Sequence, residues 1–205
     1  MILSRNIDTI FVLEKFERIV NSVSRYISIT GEEAAYFTSL LSTKLVRRRQ
    51  FVLQEGEVFT SSVFVNSGCL RSYTIDKNGV EHILQFAPPG WWIGDFYSII
   101  TGKPAVLFID AIDESEVVLL PKENRELLFE KVPKFERFFR ILIENSMAGN
   151  QQRILDKLSL TAEERFEKFC LKYPALVACL PQKYIASYIG VTPEFFSKMR
   201  SKMSK

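Results

Sequence analysis

At 205 residues, 47% of them hydrophobic and 25% charged, the chain has an ordinary globular composition and is long enough for one large domain or two modest ones. Its apolar runs fall far short of the ~20 residues that span a bilayer, and residues 1–13 lack an unbroken apolar core behind a basic segment, so a cytoplasmic protein with no membrane partner is expected. Cys69, Cys170 and Cys179 show no C-x-x-C spacing, and His82 is the single histidine; no disulfide framework, no metal site and no histidine-based catalysis is expected.

In chain order, apolar positions at helical spacing (Ile10, Leu13, Phe16, Val20, Val23) predict an amphipathic helix over 8–25. A second helix is predicted over 31–42, capped by Thr30. From 44 to 121 the pattern changes to short apolar runs, at 51–53, 63–65, 70–75, 80–86, 107–111 and 116–120, separated by turn residues. The Asn78-Gly79 pair is the strongest hairpin signal among them. Strands so short and numerous imply a small barrel or jelly roll rather than one open sheet.

Helical periodicity returns near Lys122, and Pro133 marks the first turn of a helix reaching about Lys157. Its first half carries Phe135, Phe138, Phe139, Ile141, Leu142 and Ile143; the sequence then thins to Ser146, Gly149, Asn150 and Gln151 before Ile154, Leu155 and Leu158. A helix apolar on more than one face packs on its own barrel and on something else. A second copy is the economical partner, with a seam at Phe135, Phe138, Leu142, Ser146 and Gly149, and core packing within one chain is the alternative. Thr161-Ala162-Glu163-Glu164 is a capping box opening a further helix that ends near Tyr173-Pro174.

The last segment predicts two short helices, 182–189 and 192–203, joined by a tight turn. Ala186 is the small residue that allows a close crossing, Gly190 supplies the turn, and Ile185, Ile189, Val191, Phe196 and Met199 lock the pair. Thr192 is an N-cap, Pro193 suits the first helical position, and Glu194 sits at the positive helix end. Residues 181–205 hold Lys183, Lys198, Arg200, Lys202 and Lys205 against Glu194 alone, so the positive excess of a chain of net charge +3 lies in this helix-turn-helix. Such a unit is built for the major groove of double-stranded DNA. Gln182 and Lys183 are expected near phosphates, with Arg200, Lys202 and Lys205; Glu194 and Lys198 are placed at the bases, with Ser197 and Ser201 on adjacent lines and Thr192 at the start of the DNA-binding helix. Glu194 is suited to cytosine N4 or serves the helix dipole only, and Lys198 is suited to guanine O6 and N7. Phe195 is either a thymine-methyl contact or packing.

Together these residues resemble the Crp/Fnr family of bacterial transcription regulators, in the short-tailed form common in Bacteroidetes. The likeness spans about 29–205 and rests on Gln54-x-Gly56-Glu57, Ser67-Gly68-x-Leu70-Arg71, 160–165 and above all the run 181–194. It implies an α+β fold: a helical extension (1–28), a cyclic-nucleotide-binding-like jelly-roll sensor (29–132), a long dimerisation helix (133–158) and a helix-turn-helix domain (159–205). It also implies a homodimer on a palindromic site, with RNA polymerase and an unidentified small molecule as further partners. The chain ends at Lys205, so the β-hairpin wing of longer members is expected to be absent or short.

The family's phosphate cassette carries a Gly-Glu pair and, about ten residues later, an Arg-Ser pair. Here Gly94 remains, but Asp95 stands for the Glu, and Ala105-Val106 stand where Arg-Ser is expected. Without a guanidinium, charge-assisted bonds of ~1.5–3 kcal/mol each are lost. Tight cyclic AMP binding is therefore not expected, no cofactor is expected, and the barrel stays open to another effector. Trp92 and Phe96 line an apolar pocket or belong to the core; Asn150 and Gln151 are ligand contacts or part of a polar dimer seam. An enzyme is disfavoured, since no nucleophile–base–orienter set is visible. The remaining rival is a ligand-binding or docking module whose helix-turn-helix no longer touches DNA.

Overall fold

The structure is a computed structural model and describes residues 15–203. Ile10, Leu13 and Lys205, assigned above to a helix face and to phosphate contact, lie outside the described residues. By packing, the chain forms two units: one of residues up to Ser72 with Phe86–Ile143, the other of Tyr73–Gln85 with the chain from Glu144 onward.

In the first unit, helix α1 (Glu17–Ser24) is followed by α2 (Gly31–Ser39). Helix α2 opens on a reciprocal cap, Thr30 Oγ1 accepting from Glu33 N at 3.2 Å and the Glu33 carboxylate accepting from Thr30 N at 2.7 Å. It stops earlier than the expected 31–42 because Ser42 already belongs to a strand, β1 (Ser42–Val46), paired with residues 115–119. Next come β2 (Phe51–Leu53), β3 (Ser61–Ser67), β4 (Leu70–Ile75), β5 (Glu81–Ala87), β6 (Trp92–Ile93), β7 (Phe108–Ala111) and β8 (Ser115–Pro121). They form two four-stranded sheets in the orders β1-β8-β3-β6 and β2-β7-β4-β5, the crossed order of a jelly roll. Period-two alternation sends Val46, Leu53, Val63, Val65, Leu70, Ile109 and Val117 into a shared apolar core.

Two of the quoted motifs have structural reasons. Gly68 has a φ of +78°, and a Cβ there would collide with Ser115 Oγ and the Glu114 carbonyl, so only glycine fits the turn between β3 and β4. Arg71 lies buried beside Asp110, Nε to Oδ1 at 2.7 Å and Nη2 to Oδ2 at 2.9 Å, a two-pronged pair in which neither charge could stay buried alone.

Helices α3 (Phe96–Thr101), α4 (Lys122–Lys131) and the long α5 (Lys134–Ser159) complete the helical set around the barrel sequence. A second apolar cluster joins Ile19 and Val23 of α1, Phe37 of α2, Phe64 and Val118 of the barrel, Leu128 of α4, and Phe135, Phe138 and Phe139 of α5. The described part of the N-terminal segment thus belongs to the barrel's own core. In the second unit, α6 (Ala162–Lys172), α7 (Gln182–Ile189) and α8 (Pro193–Met203) pack around Phe166, Phe169, Tyr173, Ile185, Tyr188, Phe196 and Met199.

Candidate nucleic-acid interface and sensor cassette

Helix α7 ends where Gly190 takes a φ of +80° and returns its N–H to the Ala186 carbonyl at 2.9 Å; Val191 N reaches the same carbonyl at 3.0 Å. Ala186 is fully buried, which lets α8 cross closely. Thr192 Oγ1 accepts from Phe195 N at 3.2 Å and caps α8. The ring of Phe196 meets that of Phe166 edge-on at 5.2 Å, and Met199 is buried beside them. With that face fixed inward, Glu194, Ser197, Lys198 and Ser201 lie exposed, one helical turn apart in pairs. Thr192, Gln182, Lys183 and Lys202 are also exposed, while Arg200 is half-buried with its guanidinium 5.8 Å from the Phe166 ring. Phe195, about half exposed, is not part of the core.

The carbonyls at the end of α7 are capped by two arginines that sequence reasoning missed. Arg165 Nε donates to the Ile189 carbonyl at 2.8 Å and its Nη1 to Leu160 O at 2.6 Å. Arg153 Nη2 donates to the Tyr188 carbonyl at 3.1 Å, with the guanidinium 4.1 Å from the Tyr188 ring centre. Burial pushes the Arg153 pKa down; Lys157 nearby is lowered by burial and then by the two guanidinium charges. Spacing alone does not mark the contacts to Ile189 and Tyr188, which lie far along the chain from Arg165 and Arg153, although Arg165 and Leu160 both stand in the quoted run 160–165.

The cassette has its polar groups turned inward. Asp95, 2% exposed, accepts from Ser98 N at 3.1 Å as the cap of α3 and from Val106 N at 3.0 Å. Ser98 Oγ donates to the Lys103 carbonyl at 2.7 Å and accepts from Phe59 N at 2.9 Å. Ala105 is buried and exchanges backbone bonds with Gly56 and Glu57, which accounts for the Gln54-x-Gly56-Glu57 turn. Gly94 lies under Phe59, whose ring a Cβ would meet at 3.0 Å. Trp92 packs on the second apolar cluster, 5.6 Å from the Phe139 ring, whereas the Phe96 and Val106 side chains are exposed. Asn150 and Gln151 are exposed on α5.

The residues expected in a dimer seam do not form one open face. Phe135 and Phe138 are 0% exposed, held in the chain's own core, and Leu142 packs against it; Ser146 is half-buried and Gly149 exposed. The apolar side chains that α5 leaves open are Ile143, Met147, Ile154, Leu155 and Leu158, the last 80% exposed; all but Leu155 lie on a stripe roughly a third of a turn away. The apolar first half of α5 thus has an intrachain explanation.

Comparison with known proteins adds to this geometry. A family model described as the cyclic nucleotide-binding domain matches residues 43–131. The regulatory protein HlyX of Actinobacillus pleuropneumoniae is 27% identical over 173 residues, 79% of this chain and 71% of that protein. The fumarate and nitrate reduction regulatory protein of Vibrio cholerae is 28% identical over 79% of this chain and 68% of its own length. FixK2 from Bradyrhizobium japonicum superposes with a TM-score of 0.70 at 21% identity, covering 80% of this chain and 84% of that one. The catabolite activator protein of Thermus thermophilus gives 0.54 at 18% identity, over 87% and 85%. The chain thus carries a cyclic nucleotide-binding domain and resembles regulators of the Crp/Fnr type in sequence and in fold. These curated relatives are named as regulators. Among its described residues no helix is long and apolar enough to cross a membrane.

Proposed function

We propose that this Crp/Fnr-type chain is a homodimeric DNA-binding transcription regulator that reads a palindromic site with α8. The observation that carries the reading is the outward row Glu194, Ser197, Lys198 and Ser201, set on a helix whose opposite face is locked by Phe196 and Met199. A carboxylate that accepts and an ammonium that donates, one turn apart, suit base edges. Lys183 and Lys202 flank them with phosphate-pairing charge. One reader of this kind buries only roughly 600–1,000 Å², so two are needed for selectivity, ~34 Å apart on the duplex. The stripe Met147, Ile154 and Leu158 is the surface offered to the second copy.

Titration of bulk duplex DNA tests the core of this proposal. Affinity should fall steeply with salt, by about 10³-fold between 50 and 200 mM if six or more phosphates are contacted; a flat salt response refutes it. Ile154→Asp should give monomers in sedimentation, and an unchanged dimer would remove the stripe from the seam.

Cyclic AMP is not the effector in this reading. The two backbone donors around Asp95 are occupied by its carboxylate, and a guanidinium is missing at Ala105-Val106, so the cassette does not fit a cyclic phosphate. Calorimetry showing micromolar affinity for cyclic AMP would overturn this. An effector of other chemistry and a contact with RNA polymerase are compatible parts of the same proposal.

A further inference from the structure

The hairpin of β4 and β5 starts in the barrel's sheet, and its far end, Tyr73–Gln85, packs with the reading helices. β5 is the last strand of its sheet, so its outer backbone groups lack a neighbouring strand. Side chains take that place. Ser187 of α7 donates its hydroxyl to the Glu81 carbonyl at 2.6 Å and accepts from Ile83 N at 3.0 Å, the donor–acceptor pair that a strand would supply. Arg153 of α5 donates to the carbonyls of Ile83 and Leu84 and, on the other side, to that of Tyr188. One guanidinium thereby joins the hairpin, the long helix and the first helix of the reading pair. All these acceptors are neutral carbonyls. A half-buried cation held without a carboxylate is expensive to keep in place, and only a planar fork with five donors can bond this many carbonyls at once.

We propose that Arg153 and Ser187 form a clasp binding α7 to the β4–β5 hairpin, so that a change in the hairpin's conformation is delivered to the reading helix α8. The clasp is independent of DNA; its consequence for α8 rests on the function proposed above. Gly79 is the natural point of perturbation. It closes the hairpin with a φ of +79°, where a β-branched side chain is strained, and its Cβ direction is empty, so Gly79→Val acts on the hairpin alone.

The test uses the full chain and residue-resolved hydrogen exchange. Gly79→Val should speed exchange at Ile83 and at Ile189, Gly190 and Val191 by about tenfold or more, with β3 and β8 unchanged. In the Arg153→Gln/Ser187→Ala background those amides at the end of α7 and in the turn after it should already exchange fast, and Gly79→Val should add nothing, as reciprocity of coupling requires. Arg153→Lys should not restore coupling. Should the Arg153 variant fold poorly, Ser187→Ala alone, which removes only a hydroxyl, decides the matter by the same readout. Amides at the end of α7 and in its following turn unmoved by Gly79→Val, or moved equally without the clasp, overturn it. In a second arm, Gly79→Val should change affinity for bulk DNA at least threefold, and the change should vanish with the clasp; equal affinities overturn delivery to α8. A chain that couples but never binds DNA defeats the proposed function and leaves the clasp intact, whereas DNA binding with uncoupled exchange does the reverse.

Discussion

The sensor cassette and the reader are both short helices entered through a capped turn, yet they dispose of their polar side chains in opposite ways. At the cassette, Asp95 is buried and its carboxylate is taken by the backbone of Ser98 and Val106. At the reader, Thr192 caps the helix and leaves Glu194 and Lys198 exposed. Backbone resemblance to a ligand site is therefore poor evidence for a ligand. What matters is whether the polar atoms are already satisfied by the chain itself.

Two substitutions set the contrast against itself. Asp95→Ala should cost about 3 kcal/mol of stability in urea unfolding, because the buried Ser98 N–H and the part-buried Val106 N–H both lose their acceptor, while DNA affinity per folded molecule stays unchanged. An unaltered midpoint would mean the carboxylate is not structural. Lys198→Ala should do the converse: stability within about 0.5 kcal/mol of the parent, but DNA binding weaker by ~1–3 kcal/mol with preference relaxed at one base position. An equal loss on every sequence would make Lys198 a phosphate contact instead.

The smallest effect sharpens the comparison from outside both sites. Glu33 is held below the usual carboxylate range chiefly by its bond from Lys134, Asp76 by His82, and Asp156 by Lys168 and then Gln152. Depressed folded-state values mean that these groups contribute stability in full above their unfolded values, near pH 4, and lose it as pH falls through the folded ones. All three are half-buried side chains that still reach solvent, so acid unfolding should show only a slight weakening below about pH 4, reduced further by salt. A stability rise on acidification would contradict the pairing.

The reader was legible in the sequence because its determinants are local: Ala186, Gly190, Thr192 and Pro193 act within a few residues, and α7 begins and ends at the expected Gln182 and Ile189. The strand pattern was legible for the same reason, Leu70–Ile75 standing where a short apolar run before the Asn78-Gly79 turn placed it. The face of α5 was not. Phe135, Phe138 and Leu142 form an apolar stripe whether it is covered by the chain's own barrel or by a second copy, and spacing alone does not distinguish the two. Strand β1 was missed because Ser42–Val46 owes its pairing to β8, far along the chain. Arg153 and Ser187 were missed likewise, since each bonds backbone atoms of a distant hairpin.

The position of β5 at the border of its sheet bears on solubility as well as on signalling. Glu81 and Ile83 present the groups by which a foreign strand could add itself, and Ser187 with Arg153 keeps them occupied. Whatever loosens those side chains also uncovers a template for edge-to-edge aggregation, so the fibre-forming tendency of the protein should track the fraction of molecules in which that border is bare.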